Sequence, residues 1–342
     1  MRWESVYLAG LGTWLPRPVP VRDAVDAGVI GPEWIDDYGY ESVLVAEDVA
    51  PPDMAVEAAQ TAVKRSGAAP EDFSLILHGS TWFQGLDIWP AASYIAGRTI
   101  GDNVPGFDVQ QRCSVGVSAL ELAAGQLAMG VRPGHAALVT TADRFGPAGV
   151  TRWTLRPGVA YADGATATVL STRGGFARLL STSTIADNTL EGLARGSEPF
   201  TAVSTAAGRT ILLEERAEQY RKAHDESEIS LRQARAMFRV KLEALSHAGV
   251  EMDDISYVII PGTGRAKGEF QLHDVLGVPE ERTTWAFAKR TGHVGTGDYC
   301  AALEHLVVTG AVGEGDRVML YGIGAGFTCS AAVVELLETP GW

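Results

Sequence analysis

One segment of the chain is apolar on nearly every side of the helix that its pattern predicts. Residues 107–129 begin as a short strand-like run and pass into a helix whose main polar interruptions are Ser118, Glu121 and Gln126. A helix without a wide polar face must be buried. Cys113 opens this helix, where unpaired amide donors and the positive end of the helix dipole suit a nucleophilic thiol. An inert buried cysteine is the alternative interpretation.

The pattern of a helix, an acidic turn and a buried strand occurs twice in the chain. Residues 62–80 recur in outline as residues 244–262. Nearly the same offset places Ala119–Glu121 over Ala302–Glu304, inside a second helix that is again mostly apolar. A β-rich stretch follows each apolar helix. We therefore predict a duplicated α/β unit.

The predicted duplication indicates how the chain is organised. We expect an N-terminal half at residues 1–175 and a C-terminal half at residues 176–342. Alternating buried strands and helices predict sheets that are covered by helices, and the two apolar helices then require a layer between two such sheets. A pseudo-twofold axis would bring both helix starts together, so the loop at residues 289–298 should face Cys113.

That loop contains His293 and Asp298 close to the start of the second apolar helix. A histidine there could take and return protons while the aspartate holds its ring in one tautomer. The alternatives are a helix-capping role for Asp298 and a satisfied loop position for His293. The expected position opposite Cys113 favours the catalytic interpretation of the pair.

Composition excludes several classes of function. The formal net charge of -14 opposes nonspecific binding to nucleic acid or to anionic lipid. The cysteines at positions 113, 300 and 329 do not suit a disulfide framework, and no apolar run is long enough to cross a bilayer, so we expect a soluble cytoplasmic protein. Neither zinc-ligand spacing nor a dinucleotide-binding loop is present, so we expect no metal and no cofactor.

Motifs spread over nearly the whole chain resemble those of the β-ketoacyl-ACP synthase III family in the thiolase superfamily. They are residues 6–16, Glu33–Ile35, the Cys113 segment, Asp163–Ala165, residues 276–280 and Gly322–Phe327. The resemblance implies the five-layered α-β-α-β-α thiolase fold, a homodimer and an acyl intermediate on Cys113. It also implies an oxyanion hole formed by the backbone N–H groups of Cys113 and of Ala325, in the turn after the last glycine-rich strand.

Two departures from the family pattern change the expected chemistry. Gly262 stands where condensing enzymes of the family carry a histidine, and His293 stands where they carry an asparagine. Those two side chains support malonyl decarboxylation and carbon–carbon bond formation. The remaining set of nucleophile, oxyanion hole and a histidine backed by Asp298 is similar to that of related acyltransferases in antibiotic pathways. We therefore expect acyl transfer to a hydroxyl or amine of a natural-product acceptor, such as a sugar or aminocyclitol.

The donor in such a reaction is an acyl thioester of a carrier protein or of CoA. Trp34 lies in the motif that contacts the CoA nucleotide in the family, but the arginine that follows it there is missing, which favours a carrier-protein donor. Arg235 and Arg239 lie on one face of a predicted helix and could meet an acidic carrier, although a solvated helix face is the alternative. Arg265 completes the set of candidate donor-binding residues.

Two other functions remain open at the level of sequence. One is a decarboxylating condensing or starter-unit enzyme that uses His293 in another way. The other is a noncatalytic ketosynthase-like partner subunit, against which the intact Cys113 argues. The acyl group, the acceptor and the choice between O- and N-acylation are not indicated.

Overall fold

The computed structural model describes residues 1–146, 149–200, 210–265 and 275–342. The strands are β1 (Tyr7–Trp14), β2 (Pro18–Pro20), β3 (Ser42–Leu44), β4 (Phe73–Gly79), β5 (Gly106–Val109), β6 (Ala136–Asp143), β7 (Gly164–Ser171), β8 (Ala177–Ala186), β9 (Tyr257–Ile259), β10 (Arg317–Gly324) and β11 (Thr328–Leu336). The α-helices are Val21–Asp26, Glu33–Asp36, Pro51–Ser66, Ala91–Thr99, Val115–Met129, Gly192–Arg195, Leu213–Ala223, Glu226–Ala248, Trp285–Thr291 and Asp298–Val308.

The strand order repeats between the two parts of the chain. Within the described residues, nine strands follow the order β5-β4-β6-β7-β1-β8-β11-β10-β9. In the first part, β4 runs parallel to β5 and β6, and β7 is antiparallel to β6 and β1. In the second, β9 runs parallel to β10, and β11 is antiparallel to β10 and β8. An isolated parallel bridge between Val258 and Thr283 stands where β5 stands in the first part.

Helices cover these strands in successive layers. Pro51–Ser66 packs on β1, β6 and β7 at one surface, and Glu226–Ala248 packs on β8 and β11 at the other. Between them lie Val115–Met129, the first central helix, and Asp298–Val308, the second central helix. The first central helix contacts strands of both parts of the chain, and the second contacts β1, β7, β9 and β10. The duplicated layer architecture predicted from the pattern is therefore present, while the boundary between residues 175 and 176 stays a prediction.

The first central helix is less completely buried than its composition predicts. Its inward side contributes Val115, Leu120 and Ala123 to the largest apolar cluster of the described residues. Leu122 and Met129, however, are 54% and 74% exposed. The helix is thus apolar on nearly every side, but it packs against the sheets on only part of its circumference. In the described part of the chain, no helix combines the length and apolar character that a membrane span requires.

Candidate active site

Cys113 lies in a short turn directly before the first central helix. Arg112–Ser114 form one turn of 3-10 helix, and the α-helix proper begins at Val115. Arg112 has a φ of 52°, a left-handed conformation that turns the chain sharply between β5 and the helix. The Ser114 hydroxyl donates to the carbonyl of Gln111 at 2.9 Å and holds this turn. Cys113 remains partly exposed, so its side chain is not sealed from solvent.

The second central helix begins beside this turn and brings two further residues to the thiol. The Nε2 atom of His293 lies 3.2 Å from the Sγ atom of Cys113. On the other side of the ring, Nδ1 lies 2.6 Å from Oδ2 of Asp298. The three side chains that the sequence singled out therefore form one hydrogen-bonded chain. This geometry suits proton transfer at Nε2 with the ring oriented through Nδ1.

Asp298 is held by groups other than the amides of its own helix. Its Oδ1 accepts a hydrogen bond from the backbone N–H of Val294 at 2.7 Å, and Oδ2 accepts one from Gly262 at 2.8 Å. No side-chain capping bond is made at the start of this helix. Its carboxylate is thus fixed by two amides while it faces His293, which is the arrangement of an orienting group and not of a helix cap.

The protonation of His293 follows from these contacts. Burial of the ring opposes its charged form, but the Asp298 carboxylate and the Cys113 sulfur outweigh burial and hold the pKa of His293 well above its ordinary value. The backbone is also fixed on both sides, because the N–H of His293 donates to Ala160 and its carbonyl accepts from Ala162, both at 2.8 Å. The imidazole is therefore a stationary group that readily holds a proton.

The backbone around Gly262 is closely packed and leaves no space for a side chain. A Cβ atom at this position would lie 2.8 Å from the carbonyl oxygen of Gly292 and 3.2 Å from Cα of His293. The carbonyl of Gly262 accepts a hydrogen bond from the Tyr40 hydroxyl at 2.8 Å, and its N–H is bound to Asp298. The segment Gly292–His293 thus fills the space that a side chain would need, and the N–H of Gly262 helps to hold Asp298 beside His293.

The end of β10 packs against the turn that holds Cys113. A Cβ atom at Gly324 would lie 2.5 Å from the carbonyl oxygen of Gln111 and 2.6 Å from the Ser114 hydroxyl, so the strand end packs tightly on the Cys113 turn. Ala325 follows directly and is exposed. The candidate oxyanion donors, the N–H groups of Cys113 and Ala325, thus belong to two adjacent segments.

The candidate donor-binding residues are dispersed and mostly occupied by other partners. Trp34 is only 5% exposed, and its ring lies 5.0 Å from Trp153 in an edge-on contact. Arg265 forms a hydrogen bond to Glu280 at 3.0 Å. The structure therefore offers neither an open Trp34 face for stacking nor an unpaired Arg265 guanidinium.

The helix Glu226–Ala248 does carry Arg235 and Arg239 towards solvent. Arg239, however, is paired with Glu243 at 2.7 Å, one helical turn further on. Such pairs reduce the positive charge that an acidic partner would meet. Leu231 and Phe238 are exposed on the same helix, at 58% and 42%. The predicted basic face therefore combines Arg235, the ion-paired Arg239 and apolar side chains.

Two residues beside the site carried no recognisable signal in the sequence. Asp143, at the end of β6, is fully buried and accepts hydrogen bonds from the segment before the second central helix. The Tyr161 ring lies 5.3 Å from the ring of His293 and is almost completely buried. A lone aspartate after a strand and a tyrosine in a β-rich stretch are common, so only their positions in the fold mark them.

Comparison with protein families identifies two regions of the chain. Residues 107–188 match the 3-oxoacyl-[acyl-carrier-protein] synthase III family, and residues 245–336 match its C-terminal part. The first match contains Cys113, and the second contains both His293 and Asp298. β-Ketoacyl-[acyl-carrier-protein] synthase III of Listeria monocytogenes serotype 1/2a is 25% identical over 332 residues, which span 96% of this chain and 98% of the relative.

Solved structures give the same result at the level of the fold. ChlB3, an acyltransferase, has a TM-score of 0.93 and 37% identity, covering 99% of this chain and 100% of that chain. The priming β-ketosynthase from the R1128 polyketide biosynthetic pathway has a TM-score of 0.78 and 24% identity, covering 99% and 98%. The predicted five-layered thiolase fold is thereby confirmed.

Proposed function

Because the chain belongs to the 3-oxoacyl-[acyl-carrier-protein] synthase III family, an enzyme family of acyl transfer and condensation, we propose that it catalyses acyl transfer without condensation. In this proposal an acyl group passes from a thioester donor to Cys113 and then to a hydroxyl or amine of a natural-product acceptor. The 37% identity to the acyltransferase ChlB3 over nearly the whole chain supports this choice between the two chemistries.

One observation carries the proposal: His293 lies between Cys113 and Asp298, and Gly262 has no space for a second catalytic side chain. Decarboxylative condensation needs groups that stabilise an enolate and its carbon nucleophile. Transfer to O–H or N–H needs a base that removes a proton from the acceptor, and His293 is placed and oriented for that task.

The first half-reaction loads the enzyme. The Cys113 thiolate, paired with protonated His293, attacks the carbonyl carbon of the donor thioester, and the N–H groups of Cys113 and Ala325 bind the developing oxyanion. The tetrahedral intermediate collapses with cleavage of the donor carbon–sulfur bond. His293 gives its proton to the departing thiolate, which leaves as a thiol, and the acyl group remains on Cys113.

The second half-reaction releases the acyl group. Neutral His293 takes the proton from the acceptor hydroxyl or amine as the oxygen or nitrogen attacks the acyl carbonyl. Collapse of this intermediate breaks the carbon–sulfur bond, and Cys113 departs as the thiolate beside the newly protonated His293. Asp298 stabilises the imidazolium in both half-reactions, and the starting ion pair is regenerated.

We propose a carrier protein as the donor, with CoA as the other source of the same thioester. The buried Trp34 ring and the ion-paired Arg265 leave little for an adenine nucleotide to contact. Arg235, together with Arg239, remains the proposed contact for an acidic carrier, supplemented by the apolar side chains of the same helix. The two donors should differ in the rate at which they load Cys113.

We also propose that the enzyme is a homodimer. Strand β5 forms one edge of the nine-stranded sheet, where unpaired N–H and C=O groups favour pairing with another strand. Phe107 on this strand is 48% exposed, and Leu86 is 62% exposed. Sedimentation equilibrium should give twice the chain mass, and Phe107→Asp should shift the protein towards monomer. A wild-type monomer at micromolar concentrations would exclude the dimer.

Incubation with acyl donors followed by intact-mass measurement tests the function. We expect one acyl group on the wild-type protein, none on Cys113→Ala, and loss of the adduct when an acceptor is added. Matched carrier-bound and CoA-bound forms of one acyl group identify the preferred donor. With malonyl donors we expect no release of CO₂; stoichiometric CO₂ accompanied by a new carbon–carbon bond would replace acyl transfer with condensation.

A further inference from the structure

The two central helices begin in equivalent turns that have different contents. The turn Arg112–Ser114 precedes the first central helix, and Gly295–Gly297 precedes the second. Each turn is followed directly by the first residue of its helix, Val115 or Asp298. In this alignment, Thr296 occupies the position of Cys113. The duplicated fold thus contains a second helix start at which a nucleophile could have been placed.

The second helix start is filled by a carboxylate. Oδ2 of Asp143 accepts hydrogen bonds from the backbone N–H of Thr296 at 3.0 Å and from its hydroxyl at 2.9 Å. Gly295 has a φ of 58°, and a Cβ there would lie 2.4 Å from this carboxylate oxygen. The absence of a side chain at Gly295 therefore lets Asp143 approach the turn. Thr296 is 1% exposed and Asp143 is 0% exposed, so the position is closed to substrates.

The other oxygen of Asp143 binds the segment that follows β4. Its Oδ1 accepts from the N–H of Thr81 at 2.7 Å and from that of Trp82 at 3.0 Å. The carbonyl of Thr81 in turn accepts from the Arg112 guanidinium at 3.2 Å, and Arg112 is the residue before Cys113. Among the described residues, no cation is bonded to the Asp143 carboxylate. Burial raises the pKa of Asp143 to about 6, and its four hydrogen bonds limit this rise.

Asp143 consequently connects the two segments that carry the candidate active site. One oxygen reaches the segment that holds Arg112 next to Cys113, and the other reaches Thr296 between His293 and Asp298. We propose that Asp143, acting through Thr296, is a positioning residue that sets the contact between the Cys113 thiol and His293. The importance of this contact for acyl transfer rests on the proposed function, but the contact itself can be measured without any acyl donor.

The test uses alkylation of Cys113 by iodoacetamide at neutral pH, followed by intact mass. Thr296→Val keeps the shape of the side chain and removes the hydroxyl, so His293 should be displaced and the alkylation rate should fall by up to about 10²-fold, the loss that a misplacement of about 1 Å can cause. Thr296→Ser restores a hydroxyl and should recover most of the wild-type rate. Thr182→Val removes a buried hydroxyl bonded to Trp3, remote from the site, and should leave the rate unchanged.

Thermal unfolding of each variant shows whether its population is folded, and rates are compared for folded protein only. A folded Thr296→Val variant that is alkylated as fast as wild type would overturn the proposal. So would a Thr296→Ser variant that remains as slow as Thr296→Val. If Thr296→Val does not fold, Asp143→Asn provides the same comparison through the other partner. Failure of wild-type acyl transfer would remove the proposed function and leave this result intact.

Discussion

Replacement of His293 by alanine is expected to leave Cys113 able to take up an acyl group but to slow its release to the acceptor by about 10²- to 10⁴-fold. Release requires removal of a proton from a neutral hydroxyl or amine, and Nε2 of His293 is a base that lies 3.2 Å from the Sγ atom that would carry the acyl group. Loading is less dependent on the histidine, since a free thiol is ionised by roughly a few per cent at neutral pH and is intrinsically nucleophilic.

Time-resolved intact-mass measurement separates these two steps. The variant should accumulate acyl-enzyme, whereas the wild type should return to the free form when the acceptor is present. His224→Ala is the matched control, because His224 is exposed and stacks on Tyr220, away from the site. Release at the wild-type rate from His293→Ala would show that another group removes the proton, and a complete lack of acylation would assign His293 mainly to the first half-reaction.

Replacement of Asp298 by asparagine is expected to reduce turnover by about 10⁴-fold, because the ring of His293 loses the carboxylate that orients it and supports its charge. Oδ2 of Asp298 lies 2.6 Å from Nδ1 of His293 and also accepts a hydrogen bond from the N–H of Gly262. Both oxygens of the Asp298 carboxylate face N–H donors. In the asparagine variant one of these oxygens becomes an NH₂ group, which cannot accept a hydrogen bond, so only one set of donors keeps its acceptor. Steady-state kinetics should show the loss mainly in kcat.

We also expect Asp298→Asn to change how the free energy of unfolding depends on pH. Burial opposes protonation of His293, but Asp298 and Cys113 raise its pKa well above 6.5 in the folded protein. A raised folded-state pKa contributes stability that is complete below 6.5 and is lost as pH rises through the folded-state value. Urea unfolding at a series of pH values should therefore show that the free energy of unfolding of the wild type falls as pH rises above 6.5 towards the folded-state pKa of His293. The same plot should be flatter for Asp298→Asn. Identical profiles would mean that Asp298 does not support the imidazolium.

The sequence was sufficient for the parts of the site that depend on local pattern and on duplication. An apolar helix that begins at a cysteine is a local feature, and its internal counterpart predicted that a second helix start would face it. His293 and Cys113 lie far apart in the chain, yet their contact follows from the repeat. The prediction was less accurate for burial, because Leu122 and Met129 are exposed on a helix whose composition indicates an interior position.

The candidate donor-binding residues show which features of a surface a sequence pattern does not contain. A motif placed Trp34 near a nucleotide and a helical spacing placed Arg235 and Arg239 on one face. Neither pattern contains the partners that the fold supplies: aromatic rings around Trp34 and Glu243 beside Arg239. Surface chemistry depends on which side chains from other elements come within a few ångströms, and spacing along one element does not record this.

By itself, the sequence predicted the class of fold, the candidate nucleophile Cys113 and a position without a side chain at Gly262, since each is visible in residue identity or in a short periodic pattern. Tertiary structure alone decided that the Gly262 backbone is committed to Asp298, and that Asp143 closes the second helix start by binding Thr296. These are contacts between backbone amides and carboxylates from distant segments. Their strength depends on distances of about 3 Å, which only the packing of the two halves establishes.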